Sequence, residues 1–328
     1  MDVKTCPLCG SASSILYTDL TDRWFDAPGL WNLARCGDPA CGALSLDPPP
    51  SSDELSDSYN NYYTHLASDE PEVRRLGDSA TAGFLARKMG YSIQLSRRAV
   101  VLGALVACCP KRRELAMAAA MYLDFVPGGI VLDVGCGSGA HMKRLGLLGW
   151  RVEGVEPDIK AAEAARSRGL LVHHGDMLSA KLDTAAYDAA YLTHVLEHLA
   201  RPIDHLRQVR RVLRRGAQIT TITPNAGSLG HLIFGRRWRG LEPPRHLHIF
   251  TQRSLLCLLS SAGFVDVNVR SSARCADETF AGSSFPAARV HASPRVLIRH
   301  RVLDQVERAG VLLGAGWGEE LVASARAP

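Results

Sequence analysis

No apolar run in this chain is long enough to cross a bilayer. The longest, Ala99 to Cys109, is about half of the roughly 20 residues a spanning helix needs. It reads as a buried helix, and no membrane span is expected. The opening residues lack the charged and apolar regions of a secretory leader. There is no internal repeat and no extended low-complexity tract, which excludes solenoid and fibrous architectures. Excess charge of one sign is also missing, with 38 Lys+Arg against 33 Asp+Glu, and arginine is spread over many segments. Such a balance does not demand a nucleic-acid partner.

What remains is ordinary globular material: 328 residues, 46% hydrophobic and 22% charged, enough for one large domain and an appendage. The nine cysteines are an odd number. With no leader, a reduced cytoplasm fits, and some thiols are available for metal. Cys6-Pro-Leu-Cys9-Gly10 forms one pair, and Cys36 and Cys41, followed by Gly42, form another. A glycine after each pair suits a tight knuckle whose amides point at sulfur. Four thiolates in two such pairs make a closed, structural zinc site of Cys6, Cys9, Cys36 and Cys41.

Beyond residue 46, Asp47-Pro-Pro-Pro50 breaks the chain, and Ser52 or Asp53 is the expected cap of a short helix. Tyr59, Tyr62 and Tyr63 follow and read as packing of a helical connector. Helices are expected from about Ala80 to Phe125. From Ile130 onward strand-like and helix-like segments alternate, the pattern of an α/β domain with a mostly parallel sheet. Strands are expected at Ile130–Val134, Arg151–Val155, Leu170–His173, Ala189–Leu192, Gln218–Thr223, Phe264–Arg270 and Glu320–Ala325. A helix is expected from about Pro294 to Leu313.

The first of these strands ends in Asp133-Val134-Gly135-Cys136-Gly137-Ser138-Gly139. Alternating glycines let the backbone turn sharply and approach a ligand that a Cβ would push away. The spacing to Glu156, about twenty residues on, also satisfies a dinucleotide fingerprint. Asp133 argues otherwise, since its carboxylate repels a pyrophosphate and attracts an ammonium or sulfonium group. S-adenosylmethionine (SAM) carries both cations. At this point the chain resembles the class I SAM-dependent methyltransferases, whose first motif has this acid-then-glycines form.

Glu156, ending the second strand, suits a bidentate pair with ribose hydroxyls, and Asp158 suits helix capping. In the resembling family an Asp like Asp176 accepts the adenine amino group, and the residue at Met177 packs on the ring. The run Thr193-His194-Val-Leu-Glu197-His198 resembles the fourth block of that family and lies on the cofactor side. Read literally, His194-x-x-Glu197-His198 also matches an inverted zinc-protease motif. Ubiquinone-biosynthesis O-methyltransferases look similar here but have glutamate where His194 stands, and their acidic and histidine residues hold a divalent metal. The helix from Arg201 places Ile203, Leu206, Val209, Val212 and Leu213 at helical spacing, so its arginines form a solvated face, and Gly216 is expected to stop it.

The segment from Asn225 to Thr251 is long for a connection and holds Trp238, Arg245, His246, His248 and Phe250. It is expected to close over an acceptor bearing hydroxyl or carboxylate groups, with His246 as first candidate base and His198 as second.

The expected architecture is a doubly wound, Rossmann-like sheet of seven strands, the last antiparallel, with a zinc ribbon (1–46), a helical cap (47–125) and a methyltransferase domain (126–328). The resemblance implies SAM bound by Asp133, Gly135, Gly137, Gly139, Glu156, Asp176, Met177 and His194. The expected reaction is methyl transfer to a small-molecule or glycan acceptor, at oxygen, without nucleic acid as partner. Two alternatives stay open: a macromolecular acceptor docked by the ribbon, and a nicotinamide-dependent oxidoreductase.

Overall fold

The computed structural model describes residues 4–59, 79–93, 95–285 and 294–328. Tyr62 and Tyr63 lie outside these. Near the amino terminus β1 (Ser13–Leu20), β2 (Trp31–Cys36) and β3 (Leu44–Leu46) form an antiparallel meander. Its fourth strand, β9 (His248–Ile249), comes from the long connection far down the chain, with Leu44 opposite Ile249.

The helix α1 (Ser52–Asp57) is capped by Ser51, one residue before the expected cap. The reason is reciprocity. The Ser51 hydroxyl accepts from the Glu54 amide while the Glu54 carboxylate accepts from the Ser51 amide, and only Ser51 has an acid three residues on. Three helices follow: α2 (Ser79–Met89), α3 (Arg97–Cys108) and α4 (Pro110–Ala119). The apolar run on α3 is not the buried helix expected. Only Ala99, Gly103 and Val106 are buried, because α3 packs on one side only. No helix among the described residues is long and apolar enough to cross a membrane.

The main sheet has seven strands: β4 (Ile130–Val134), β5 (Arg151–Glu156), β6 (Leu171–His174), β7 (Tyr187–Thr193), β8 (Leu213–Pro224), β10 (Val265–Ser272) and β11 (Glu320–Arg326). Their spatial order is β10-β11-β8-β7-β4-β5-β6, and β11 runs antiparallel to both neighbours. Helices α5 (Ala140–Leu147), α6 (Ile159–Ser167), α7 (Pro202–Val212) and α9 (Gln252–Ser261) cross over between strands. On α7, Leu206, Val209 and Val212 are fully buried while Arg207 and Arg210 are exposed, as the spacing predicts. Gly216 does not end that helix. It lies inside β8 at φ +76°, where pairing with β7 skips register between Tyr187 and Ala189. Asp158 caps α6 through its side chain.

Two more helices, α8 (Leu229–Phe234) and α10 (Ala276–Ser284), join the amino-terminal sheet in one core built from Leu33, Leu44, Phe234, Trp238, Ile249 and Phe280. The last helix, α11, spans Pro294–Leu312.

Candidate active site

The strand order sets β7, β4, β5 and β6 side by side, so their carboxyl ends form one row. In a doubly wound sheet this edge is where ligands bind. After β4, Gly135, Gly137 and Gly139 all have left-handed φ values, +74°, +53° and +82°. A Cβ on Gly135 would meet Val195 Cγ2 at 2.6 Å, and one on Gly139 would strike Leu170. A Cβ built at Gly137 would meet no described residue within 4 Å beyond its chain neighbours, so the turn is uncrowded on that side.

Glu156 closes this turn. Its Oε2 accepts the Gly137 amide at 2.7 Å and its Oε1 accepts the Asp158 amide at 2.9 Å. Asp133 is 2% exposed and lies beneath the turn, where the Tyr191 hydroxyl donates to Oδ2 at 2.5 Å. Burial pushes its carboxyl up to about 7, against the opposing pull of that hydrogen bond. Asp176 is turned toward its own loop. Its Oδ1 accepts the Leu178 and Ser179 amides, and Oδ2 lies 3.2 Å from His205 Nε2. Met177 is buried in the core with Val134, Val155 and Leu192.

Beside this row, at the ends of β7, β8 and β11, lies a cavity of about 470 Å³. His194, Pro224, Trp238, Arg274, His246 and Glu320 line it. His194 sits at φ +53° with Nδ1 3.1 Å from Glu197 Oε1 and Nε2 3.1 Å from Glu320 Oε1. Burial opposes its charge, but the two carboxylates outweigh it and raise the imidazole to about 10. Glu320 is in turn gripped by Arg274, with Nη2 at 2.7 Å from Oε1. Burial works against its charge, yet the Arg274 guanidinium and His194 hold its carboxyl far below the usual range. His194 is therefore an imidazolium set between two carboxylates, with both nitrogens engaged.

Two more histidines meet behind it. The His198 and His246 rings are 4.8 Å apart and edge-on. His198 Nδ1 donates to the Arg245 carbonyl at 3.0 Å and His246 Nδ1 donates to the Gly240 carbonyl at 2.8 Å. For His246 this bond leaves Nε2 as the acceptor atom. The same His198 Nδ1 lies 3.0 Å from the Tyr59 hydroxyl, and burial, then the neighbouring His246, lower this imidazole to about 4. His246 lines the cavity; His198 is not among its lining residues.

As for metal, ligand atoms of Glu197, His198 and His246 lie within 4.8 Å of one another. The set His194, Glu197 and His198 does not converge in this way, because His194 faces Glu320.

The long connection differs from the expected cover. Every residue from Leu241 to Phe250 is buried, so the segment is a fixed wall. Arg245 does not face an acceptor: it is fully buried, with Nη2 2.7 Å from Asp22 Oδ2 and Nε 3.1 Å from Glu242 Oε1. His248 lies in β9 and meets Ser45 Oγ at 3.1 Å. Of the three basic candidates here, only His246 reaches the cavity. Sequence reasoning missed Arg274 and Glu320 as site residues, whereas Trp238 belongs to the segment expected to meet the acceptor. The one signal was the acid pair Glu319-Glu320 heading an otherwise apolar strand.

In the amino-terminal sheet, Cys6 Sγ lies 3.9 Å from Cys41 Sγ, and Cys9 Sγ lies 3.4 Å from Cys36 Sγ. A tetrahedral zinc with bonds of about 2.3 Å sets its sulfurs about 3.8 Å apart. Backbone amides of Leu8 and Cys9 point at the Cys6 sulfur, as in a knuckle. The donor set fits zinc.

Residues 107–269 match the model of a methyltransferase domain family. An uncharacterized 37.1 kDa protein in transposon Tn4556 of Streptomyces fradiae is 34% identical over 115 residues, 33% of each chain. A tRNA U34 carboxymethyltransferase of Shewanella loihica is 33% identical over 157 residues, 45% of each chain. The chain thus spans less than half the length of these relatives. Among solved structures, the [4+2]-cyclase SpnF aligns with 85% of this chain and 97% of its own at 20% identity and a TM-score of 0.49. The expectation that nucleic acid is no partner is overturned by the relatives that act on tRNA. The solvated arginines of α7 concern one helix face and say nothing about the rest of the surface.

Proposed function

The chain carries a SAM-dependent methyltransferase domain, and on that premise we propose that it transfers a methyl group to an acceptor oxygen bound in the cavity at the ends of β7, β8 and β11. The nicotinamide reading of the glycine turn falls with the family match. SAM supplies an electrophilic methyl. It would lie before Gly137, with its ribose hydroxyls donating to Glu156. Asp133 supports the turn from beneath through its bond with Tyr191, while Asp176 and Met177 border the adenine side. His194 sits between cofactor row and acceptor cavity, its charge balanced by Glu197 and Glu320.

The observation that carries the acceptor chemistry is His246. Its Nδ1–H is committed to the Gly240 carbonyl, so Nε2 is the basic atom, on a residue lining the cavity. With SAM bound as methyl donor, His246 Nε2 would take the proton of an acceptor hydroxyl held in the cavity. Alignment and exclusion of water supply most of the barrier reduction. A small molecule or a glycan suits a cavity of about 470 Å³. A second reading, a nucleic-acid acceptor, is favoured by the likeness to tRNA U34 carboxymethyltransferases. We place a structural zinc on Cys6, Cys9, Cys36 and Cys41, with the ribbon, cap and catalytic parts divided near residues 46 and 125, and the protein in the cytoplasm.

Incubation with methyl-labelled SAM, against a metabolite extract in one arm and total tRNA in the other, tests the reading. Label entering a small hydroxylated product, and lost with His246→Ala, is the expected result. Label entering only tRNA favours the second reading. Binding of NAD but not SAM by calorimetry refutes both.

A further inference from the structure

The helices that precede the sheet carry an apolar face that no described residue covers. Helices α2 and α3 meet so closely that a Cβ added at Gly83 or Gly103 would strike the backbone of the other helix. This contact uses one side of α3. The opposite side presents Val101 and Leu105, 62% and 61% exposed, flanked by Val100 and Leu102. Residues four apart share a helix face, so Val101 and Leu105 form one stripe. Cations ring it. From residue 97 to 113 the charged residues are Arg97, Arg98, Lys111, Arg112 and Arg113, with no acid among them. All five are exposed, and none makes an ion pair among the described residues.

We propose that this face of α3, with the start of α4, docks on an anionic phospholipid surface. A helix with apolar side chains framed by basic ones lies in the plane of a membrane interface, its aliphatic groups at the acyl boundary and its cations among the headgroups. The charge distribution argues against the other occupants. A second copy seated face to face would bring two basic rims together, with no acid between residues 97 and 113 to relieve them. A nucleic acid would satisfy the cations but would set Val101 and Leu105 against phosphates. Lys111 also lines the cavity, so the docking face and the proposed acceptor site adjoin. The docking stands independently of which acceptor is methylated.

The test is sedimentation of the full chain with extruded vesicles of phosphatidylcholine containing about one-third phosphatidylglycerol, beside pure phosphatidylcholine vesicles. The protein should pellet with the anionic vesicles and not with the neutral ones. Two double variants should release it: Arg97→Glu with Arg98→Glu, by roughly thirtyfold or more from the loss of two cation contacts, and Val101→Asp with Leu105→Asp, by at least about tenfold. Unchanged thermal melting and SAM affinity would show that both variants fold. Failure of the wild type to pellet overturns the proposal. So does full binding by the Val101/Leu105 variant with loss only in the charge variant, which is the behaviour of a polyanion site. A dimer in light scattering that the Val101/Leu105 variant abolishes overturns it in favour of self-association.

Discussion

Replacing His194 by alanine should destabilise the fold with a distinctive dependence on pH. Glu197 is fully buried; its Oε1 is bonded to His194, and its Oε2 has no hydrogen-bond partner among the described residues. Without the imidazolium, a buried carboxylate is left with neither oxygen paired. Removing one partner of a buried ion pair costs about 3–5 kcal/mol. The His194 side chain is 39% exposed, so water can enter the space it leaves, and screening cuts the expected loss to about 2 kcal/mol. The sign follows from the two groups. His194 is raised from 6.5 to about 10, so its stabilisation is complete below pH 6.5 and fades as pH climbs through 10. Burial opposes the Glu197 charge, but His194 outweighs it and the carboxyl is lowered, so its contribution holds above its ordinary range near 4.5 and is lost in acid. The gap between wild type and variant should be largest between about pH 5 and 6.5 and shrink toward pH 3 and toward pH 10. Urea denaturation followed by circular dichroism across that span measures it. His194→Gln, which keeps a donor but no charge, should recover part of the loss. A gap that is equal at all pH values would mean that His194 contributes packing alone, and the ion-pair account would be wrong.

Other consequences are more direct. Protein purified without chelator should carry one zinc per chain; less than about a tenth of an equivalent, with all four thiols freely titratable, would refute the site. Glu156→Ala removes the proposed ribose partner and frees the Gly137 and Asp158 amides, so SAM affinity should fall by about 2–3 kcal/mol in calorimetry; wild-type affinity would refute the assignment. His246→Ala should leave SAM affinity intact and lower turnover on the order of a hundredfold, and a wild-type rate from pH 6 to 9 would remove it as the base. His198→Ala should instead lower the melting temperature, since His198 ties Tyr59 to the Arg245 carbonyl.

Much of the sheet was legible because its signals are local and repeated. Buried parallel strands are short apolar runs closed by glycine or an acid, and all seven expected strands form, with ends moved by up to five residues at β8. The glycine turn was legible for the same reason: its glycines, Glu156 and the capping Asp158 lie within one strand–helix–strand stretch. Single long-range pairings leave no such trace. His194 meets Glu320 across 126 residues and Arg245 meets Asp22 across 223, and neither has a spacing to read. Nor does composition separate a buried helix from an exposed one. The run Ala99–Cys109 is apolar all round, and only the Gly83–Gly103 contact decides which side is covered.

The pairings that were not legible change what the amino-terminal sheet is for. Read from its cysteines alone it is an appendage, yet it grips the wall that holds His246 at three places. Leu44 and Ser45 pair with β9, two residues beyond His246. Asp22 receives the Arg245 guanidinium at the adjacent position, and the Thr251 hydroxyl donates to the Cys41 carbonyl at 2.6 Å. Cys41 is also one of the four proposed zinc ligands, so the metal site and the far end of the wall share a residue. A chelator strong enough to strip zinc should therefore lower turnover more than it lowers SAM affinity, because the glycine turn and Glu156 belong to strands that make no pairing with this sheet. Equal loss of both would mean that the ribbon supports the whole fold rather than the wall. Loss of neither would detach the cysteine cluster from catalysis.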